Sequence, residues 1–575
     1  MAYDAPLNDM AFALQSVAGL SRLEGLEAFG NYDPELITPI LEEANKLARD
    51  VLAPLNASGD AHGAVLTEDG VRAAPGFADA YAQFREGGWM GLSAPEEWGG
   101  QGLPKALALA VMEMFHAANR SFGLCPMLSF GAVEALLAHG TDDQKQAYLP
   151  NLVAGNWTGT MNLTEPQAGS DVGALKTRAV PKEDGSYAIS GQKIFITWGD
   201  HDVAENIIHL VLARLPDAPA GSRGISLFIV PKFMVEADGG LGARNTVKCI
   251  GLEKKMGIHA SPTCVMSYGD NDECIGELVG AENRGLAAMF TMMNNARINV
   301  GSQGVQIAER ATQQALDYAK ERIQSARAGA ADRSPAAIIE HPDVRRMLVR
   351  MRSLTEAMRG LLYYTAGQVD RGDIGDSAAA ARAEVLVPML KAWATDTGID
   401  VASLGIQVHG GMGFIEETGA AQHWRDSRIA PIYEGTNGIQ AADLVTRKLG
   451  LEDGQVLQAL FADIARDAGD EAKLQALAGE CAAIAKWMRE EASLDDRLAG
   501  SVPYTAMCAV AVSGWCLLEQ HRALADSDEE GRKAAKRLTT RYFLDQIVPE
   551  AIGLKAAAVA GAGLLYELET DALVG

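Results

Sequence analysis

The stretch that decides the fold begins with SYAISGQKIFIT (residues 186–197) and continues through NIIHLVLARL (206–215) and GISLFIVPKF (224–233). Each run is rich in β-branched or aromatic residues, and glycine, aspartate and proline separate the runs, which is typical of strands joined by turns. We therefore predict a compact β domain over residues 157–278. The sequence on both sides of it is helical in pattern.

The sequence before the β domain predicts helices. Residues 39–51 and 74–87 carry apolar side chains at helical spacing, and residues 106–117 form a run of alanine, leucine and methionine. We assign residues 1–156 to an N-terminal α-helical domain.

The sequence after the β domain predicts longer helices. Only six of the 21 prolines follow residue 275, and proline is excluded from helix interiors. Apolar spacing predicts one long helix over residues 286–326. Further helices are predicted over residues 342–370, 376–402 and 436–450. We divide this part into a C-terminal α-helical bundle (279–449) and an additional α-helical domain (450–575), so the fold class is α+β and mostly α.

The chain is acidic. Its 575 residues include 50 lysines and arginines against 75 aspartates and glutamates, a formal net charge of −25. This charge repels nucleic acid and anionic membrane surfaces over most of the protein, so we expect neither as a partner. The apolar stretch 502–518 is shorter than the roughly 20 residues of a bilayer span, and it predicts a buried helix. The N-terminus has no basic segment followed by an apolar one, so we expect no signal peptide and a cytoplasmic protein.

Several common catalytic motifs are absent from the sequence. It contains no G-x-G-x-x-G after a predicted strand, no G-x-x-x-x-G-K-[ST], no H-E-x-x-H and no G-x-S-x-G. The seven cysteines form no C-x-x-C pair, and the ten histidines show no ligand spacing. We therefore expect free thiols and no metal site.

Polar residues among glycines mark the stretches that suit chemistry. TEPQAGSD (164–171) offers hydroxyls beside small residues, which let a planar or phosphate-bearing ligand approach the backbone. A polar surface loop is the alternative. QVHGGMGF (407–414) and PIYEGTNGIQ (431–440) lie in helical surroundings and are harder to explain as connecting turns.

Glu434 is the candidate catalytic residue. It lies between Tyr433 and Gly435 in an apolar neighbourhood. Burial raises the pKa of a carboxyl group, which suits a general base that must remove a weakly acidic proton. The alternative is a glutamate that caps the helix beginning near Thr436. The segment by itself favours neither.

Taken in order, TEPQAGSD, GQKIFIT (191–197) and IYEGTNGIQ (432–440) resemble the acyl-CoA dehydrogenase family, and the resemblance extends from residue 36 to residue 448. The family fold is a helical N-terminal domain, a central β domain and a helical C-terminal bundle, with FAD held between them. The resemblance implies α,β-dehydrogenation of an acyl-CoA thioester. Glu434 would remove the α proton, a hydride would pass to flavin N5, and an electron-transfer flavoprotein would accept the electrons.

The resemblance also implies a set of binding residues. For FAD these are Met161, Leu163, Thr164, Gly169, Ser170, Phe195, Ile196, Thr197, Arg322, Gln324, Gln407, Gly410, Gly411, Thr436, Asn437 and Gly438. For the CoA substrate they are Ser170, Asn294, Arg297, Tyr433 and Gly435. Phe195 replaces the tryptophan of many members, and Asn294 replaces the aspartate of the family's D-x-x-R site. ERIQSAR (321–327) lacks the phenylalanine and glycine of its R-x-x-F-G segment.

The position of Arg322 predicts an oligomer. Arg297 and Arg322 are 25 positions apart on one predicted helix, which corresponds to roughly 38 Å at about 1.5 Å per residue. One active site does not extend that far along one helix. We therefore expect Arg322 to reach the FAD of a neighbouring subunit, and we predict a homodimer.

The segment after residue 449 bears on the substrate. In overall length, the NDMAFAL opening (8–14) and the ERIQSAR variant, the chain is most similar to a bacterial group that acts in dimethylsulfoniopropionate degradation. That similarity implies conversion of 3-(methylthio)propanoyl-CoA to 3-(methylthio)acryloyl-CoA. The alternatives are a short- or medium-chain acyl-CoA dehydrogenase of β-oxidation, an acyl-CoA oxidase and a non-catalytic assembly relative.

Overall fold

The computed structural model describes residues 3–30, 32–236, 239–270, 272–525 and 529–573. Helices form the part of the chain before the central sheet, together with one small hairpin. The elements are α1 (Leu7–Ala13), α2 (Ile37–Leu47), α3 (Pro54–His62), β1 (Val65–Thr67), β2 (Gly70–Arg72), α4 (Phe77–Glu86), α5 (Lys105–Ala118), α6 (Arg120–His139) and α7 (Asp142–Val153). The helices predicted from residues 39–51, 74–87 and 106–117 are confirmed.

The central β domain is built around one twisted sheet. Its strands are β3 (Trp157–Asn162), β4 (Arg178–Pro181), β5 (Tyr187–Thr197), β6 (Asn206–Ala213), β7 (Ser226–Pro231), β8 (Phe233–Val235), β9 (Leu241–Arg244), β10 (Val247–Leu252), β11 (Thr263–Tyr268) and β12 (Cys274–Val279). The main sheet has the order β10-β11-β5-β12-β7-β6-β3, with β4 paired to β5, while β8 and β9 form a separate ribbon. The three runs quoted first are β5, β6 and β7.

Long helices follow the sheet. They are α8 (Gly285–Glu321), α9 (Pro342–Asp373), α10 (Ser377–His409), α11 (Ala420–Ser427) and α12 (Asn437–Thr446). Helices α8 and α10 pack closely because small residues face each other, and a Cβ at Gly304 would lie 2.0 Å from the Ala394 carbonyl oxygen. The helix predicted over 286–326 ends five residues early, because Arg322 turns to extended backbone and Ile323 bridges to Ala337.

The chain ends in an additional helical layer. Its helices are α13 (Gln455–Ala468), α14 (Ala472–Glu490), α15 (Leu494–Ala523), α16 (Glu530–Tyr542), α17 (Val548–Gly553) and α18 (Lys555–Ala558). Helix α15 packs against α9, α10 and α12. Lys536 of α16 forms a buried 2.8 Å ion pair with Glu356 of α9, so this layer is tied to the bundle by charge as well as by apolar contact.

Two helices, α6 and α15, are long and apolar enough to cross a bilayer. In each, 78% of the most apolar window is buried inside the protein. Burial of that kind is typical of the core helices of a folded domain. The prediction of a buried helix over residues 502–518 is confirmed.

Candidate active site

Glu434 lies in a tight turn between α11 and α12. Both Glu434 and Gly435 adopt left-handed backbone, with φ of 56° and 86°. The positive φ at position 435 favours glycine, and a Cβ there would also lie 2.7 Å from Nε2 of Gln440, which would have to move. The backbone N–H of Asn437 donates to the Pro431 carbonyl at 2.9 Å and closes the turn.

Thr436, and not Glu434, caps helix α12. Its Oγ1 accepts a hydrogen bond from the backbone N–H of Ile439 at 3.2 Å. The interpretation of Glu434 as a helix cap is therefore wrong. Among the described residues its carboxylate accepts no hydrogen bond, so it remains available to a ligand.

Packing and two nearby cations set the protonation of Glu434. Dense packing around the carboxyl group raises its pKa, although part of the side chain stays open, and the charges of Arg297 and Lys391 oppose that rise. Arg297 is 8% exposed and lies 5.9 Å from the Phe290 ring, and no described residue accepts a hydrogen bond from its Nε. A partly desolvated carboxylate beside a buried cation suits a general base.

Tyr433 anchors the other side of the Glu434 turn. Its hydroxyl donates to Oε1 of Gln303 on α8, and the same oxygen accepts from Nη2 of Arg120 at 2.6 Å. Arg120 is the first residue of α6. The turn is therefore held by the N-terminal domain as well as by the bundle.

The same end of α6 also holds the end of strand β5. The indole Nε1 of Trp198 donates to the Ser121 carbonyl at 3.1 Å. Because Ser121 follows Arg120 in the chain, Thr197 and the Glu434 turn are attached to one end of one helix. The structure thus brings the β-domain candidates and the Glu434 turn to the same region.

The 161–170 stretch runs from buried strand to exposed loop. Met161 is buried in β3, the Leu163 carbonyl accepts from Lys193 Nζ at 2.9 Å, and Gly169 and Ser170 are exposed. Glu165 has a structural role. Burial raises its pKa, but the ion pair with Lys193 and further hydrogen bonds outweigh burial and lower the pKa to about 2. This buried pair gives the loop a fixed base.

Strand β5 carries a bulge at the candidate residues. Phe195 adopts a φ of 60° and its ring is 57% exposed, whereas the neighbouring Ile196 is 2% exposed. The register with β11 shifts at this point. A bulge redirects side chains, and here it presents an aromatic ring beside the partly buried Thr197.

Three hydroxyl groups among the β-domain candidates are unused by protein. Within the described part of the chain, the side chains of Thr164, Ser170 and Thr197 make no hydrogen bond to protein. Unused hydroxyls and the exposed Phe195 side chain are groups that suit a planar ligand with polar edges.

A third group of candidates lies elsewhere. Arg322 and Gln324 are exposed after the end of α8, and Gln407, Gly410 and Gly411 are exposed at the end of α10. The two helix ends meet through Tyr318, whose ring stacks on His409 at 4.5 Å. This group is far from the Glu434 turn, which contacts α8 at Gln303 and α10 near Lys391.

The side chain of one FAD candidate, Asn437, is already bound by protein, and that of the CoA candidate Asn294 has no described contacts. The Asn437 side chain is occupied by α10, donating to the Ala392 carbonyl and to Thr395 Oγ1 at 3.0 Å each. Asn437 can therefore offer a ligand only its backbone groups. The same holds for Gly435 and Gly438, which have no side chain. The side chain of Asn294 lies outside the described residues, and its backbone is part of α8.

A cavity of about 750 Å³ adjoins the site. Glu434 is not part of the cavity wall. Arg297 is part of that wall and also acts on Glu434, so it links the cavity with the Glu434 turn. Much of the wall is apolar, including Leu109, Met112, Phe130, Val133 and Leu137. Another part is charged: Lys105 pairs there with Glu134 at 3.0 Å and Asp373 at 2.9 Å.

Sequence reasoning missed Lys391, which contacts the Glu434 turn from α10. Its Nζ donates to the Gly435 carbonyl at 2.7 Å. A lone lysine in the apolar run VLVPMLKAWA (385–394) was a usable signal, because a lysine inside a buried helix face needs a partner.

Comparison with known proteins agrees with this architecture. Family models match in chain order: acyl-CoA dehydrogenase N-terminal domain at residues 38–156, middle domain at 160–270 and C-terminal domain at 283–449. The chain belongs to the acyl-CoA dehydrogenase family. A fourth model, acetyl-CoA dehydrogenase C-terminal like, matches residues 458–569 of the additional layer.

Relatives of similar length support the assignment. A 3-methylmercaptopropionyl-CoA dehydrogenase of Ruegeria pomeroyi is 46% identical, covering 96% of this chain and 97% of that protein. A butyryl-CoA dehydrogenase of Syntrophomonas wolfei is 35% identical, covering 96% of each. A solved acyl-CoA dehydrogenase of Bacillus anthracis, complexed with FAD, shares the fold with a TM-score of 0.75 at 22% identity, over 95% of this chain and 91% of that one.

As a member of this family the chain is an FAD-dependent oxidoreductase that acts on acyl-CoA. The resemblance, the α+β fold class and the cofactor predicted from sequence are confirmed. The residues present fit FAD, since the hydroxyls of Thr164, Ser170 and Thr197, which no described residue uses, and the exposed Phe195 side chain offer hydrogen-bonding groups and an aromatic face to a ring with polar edges.

Proposed function

We propose that this protein dehydrogenates 3-(methylthio)propionyl-CoA to 3-(methylthio)acryloyl-CoA in dimethylsulfoniopropionate degradation. The supporting observation is the 46% identity to the Ruegeria pomeroyi enzyme over nearly the whole of both chains, the additional helical layer included.

In this proposal Glu434 is the base that removes the α proton of the thioester. Its raised pKa keeps the proton-accepting power of the carboxylate high, and the nearby Arg297 keeps the carboxylate form populated. The backbone N–H of Glu434 is assigned to the thioester oxygen, where it stabilises the charge that develops as the proton leaves. FAD, when bound, supplies the acceptor for the hydride of the β carbon.

We assign the β-domain residues to FAD. Thr164, Ser170 and Thr197 would donate or accept hydrogen bonds at the edges of its ring system and diphosphate, and Phe195 would cover a face. Met161, Leu163, Gly169 and Ile196 would shape the backbone around it, with Thr436, Asn437 and Gly438 on the opposite side. Ser170, Asn294, Arg297, Tyr433 and Gly435 are assigned to the CoA substrate.

We further propose a homodimer in which Arg322, Gln324, Gln407, Gly410 and Gly411 serve the FAD of the second subunit. The support is geometric. The 25 positions from Arg297 to Arg322 lie on one helix up to Glu321, which corresponds to roughly 38 Å. These residues are exposed, so a ligand from outside their own chain could reach them.

We also propose that an electron-transfer flavoprotein accepts the electrons and that the protein acts in the cytoplasm, without nucleic acid or membrane as partner. The support is the family and the composition: the net charge is −25, and each of the seven cysteines is a buried free thiol.

A short- or medium-chain acyl-CoA dehydrogenase is the second candidate. A specific observation favours it: the cavity next to Arg297 has a volume of about 750 Å³, which exceeds the need of a methylthiopropionyl group.

A substrate panel distinguishes the two candidates. Anaerobic flavin bleaching would be followed with 3-(methylthio)propionyl-CoA, butyryl-CoA, hexanoyl-CoA and octanoyl-CoA. We expect the highest kcat/KM for the methylthio substrate. A straight-chain thioester with a higher kcat/KM would favour the second candidate, and bleaching by none of them would contradict both. Peroxide formation in air without an electron-transfer flavoprotein would identify an oxidase.

A further inference from the structure

Lys391 is a buried lysine in the middle of α10 that none of the assigned roles uses. It has no exposed surface. Its ammonium donates to the Gly435 carbonyl at 2.7 Å and to Oδ1 of Asn437 at 2.9 Å. A buried ammonium is costly unless its donors are satisfied, so these two bonds explain how the charge is tolerated.

Both acceptors belong to the turn that carries Glu434. In that turn two successive residues, Glu434 and Gly435, adopt left-handed backbone. A glutamate in this conformation persists only when its surroundings impose it. The Lys391 bond to the carbonyl of the next residue is such a constraint.

Asn437 extends the constraint. Its side-chain Nδ2 donates to the Ala392 carbonyl and to Thr395 Oγ1. These two residues lie one and four positions after Lys391 on α10. Thr395 Oγ1 in turn donates to the Lys391 carbonyl at 2.7 Å. The helix face made by these residues therefore holds both ends of the turn.

Lys391 also acts on Glu434 through charge. Burial lowers the pKa of Lys391 to about 7, while Glu434 and Asp396 favour its charged form and Arg297 opposes it. Reciprocally, the Lys391 charge favours the carboxylate form of Glu434. Further charged groups act on this cluster indirectly: Asp443, Arg447 and Lys448 interact with Arg297, and Arg428 and Asp400 interact with Asp396.

We propose that Lys391 is a positioning residue for the reaction: it fixes the backbone of the Glu434 turn and keeps the base in its carboxylate form. The inference rests on the proposed role of Glu434. It adds a separate residue on a separate helix, which makes it testable independently.

The test compares Lys391→Met and Lys391→Arg with the wild-type holoenzyme. FAD content, kcat, KM and the pH profile of flavin reduction would be measured. We expect Lys391→Met to retain FAD and to lose about ten- to a hundredfold in kcat, because a small displacement of the base has a large effect on rate. The acidic limb of its pH profile of flavin reduction should move to higher pH, since loss of a cation raises the Glu434 pKa. Lys391→Arg should keep the limb at the wild-type pH.

The pH limb separates positioning from a merely structural effect. Lys536→Met is the matched control, because Lys536 is a buried, ion-paired lysine remote from the turn. It should lower the melting temperature and leave the limb in place. Thr395→Val, which removes one anchor of Asn437 without changing charge, should lower kcat and leave the limb unmoved.

The outcomes keep the two proposals distinguishable. If Lys391→Met keeps the wild-type kcat and the wild-type acidic limb, the inference about Lys391 is overturned. The assignment of Glu434 as the base would still stand in that case, provided that Glu434→Gln is inactive. If Lys391→Met does not fold, Thr395→Val decides, and wild-type kcat in that variant would count against positioning. Turnover by Glu434→Gln would instead overturn the proposed function itself.

Discussion

Glu434 differs from the other glutamates near the site in having no partner for its carboxylate in the described structure. Glu165, by contrast, pairs with Lys193, and Glu134 pairs with Lys105. A carboxylate with unfilled hydrogen-bonding capacity, a raised pKa and a nearby buried cation is prepared for proton transfer. The left-handed backbone at Glu434 is a second sign, because strained residues cluster at functional sites.

Glu434→Gln should abolish dehydrogenation and leave FAD bound. The amide cannot accept the α proton, and general-base catalysis contributes about 10²- to 10⁴-fold. In the wild type, burial raises the pKa of Glu434. Its kcat/KM should therefore increase with pH along a limb above the ordinary glutamate pKa, because the ionised base is the active form. Stopped-flow flavin bleaching checks both points, with the exposed Glu282→Gln as control. Bleaching at the wild-type rate in Glu434→Gln would refute the assignment.

Sequence reasoning proposed Glu434 as the base but did not find the residues that contact its turn. Glu434 is recognisable because its motif is local. The contacts of Lys391 join positions 391, 435 and 437, and those of Arg120 join positions 120 and 303, so only the folded chain shows them. The use of the Asn437 side chain by α10 was hidden for the same reason.

At the scale of elements, Asp370 joins two helices that line the cavity. This residue of α9 accepts from the backbone N–H groups of Lys105 and Ala106, at 2.7 and 3.0 Å, and thereby caps the first turn of α5. Burial raises the pKa of Asp370 to about 7, although the two hydrogen bonds and the Lys105 charge lower it.

The pKa of Asp370 predicts a loss of stability as pH rises. The folded pKa lies above the unfolded value of about 3.9, so the folded state binds the extra proton between those two pH values. The contribution is full below the unfolded pKa and is lost as pH rises through about 7. Asp370→Asn should remove this dependence. As pH rises from 5.5 to 8.5, the melting temperature of the wild type should therefore fall relative to that of Asp370→Asn. The exposed Asp69→Asn serves as control, and a difference independent of pH would contradict the prediction.

Periodicity predicted the elements well and their ends less well. The strands β5, β6 and β7 were predicted because each is rich in β-branched or aromatic residues and is bounded by turn residues, and the long helices because apolar residues recur at helical spacing. The end of α8 was missed because Ile323 pairs with Ala337, a contact across a loop. The bulge at Phe195 was missed because it depends on the register with β11.

At the scale of the whole molecule, the added helical layer extends the bundle. Helix α15 lies against α9, α10 and α12, and α16 brings Lys536 to Glu356. Burial in this layer explains the apolar stretch at 502–518 without a membrane. Composition predicted that the segment is helical, but its docking surface depends on side chains far apart in sequence.

The proposed homodimer predicts that two inactive variants restore each other. Arg322→Ala should be inactive at an FAD concentration that saturates only the wild type, and Glu434→Gln should be inactive at any FAD concentration. If Arg322 serves the site of the second subunit, a hybrid dimer contains one site with Glu434 from one chain and Arg322 from the other. Co-expression should then give about a quarter of the wild-type activity, because half of the dimers are hybrids with one intact site of two.

The same mixture has the opposite outcome if Arg322 serves its own chain. Every site would then carry one of the two substitutions, and co-expression would add nothing to the separate activities. Differently tagged chains, purified in sequence, would give the hybrid dimer alone for the measurement. Two copies of Glu434→Gln in one dimer are the matched control, since they contain no intact base and should stay inactive. Activity in the tagged hybrid would therefore require an FAD site built from both subunits, as the proposal from the distance along α8 expects.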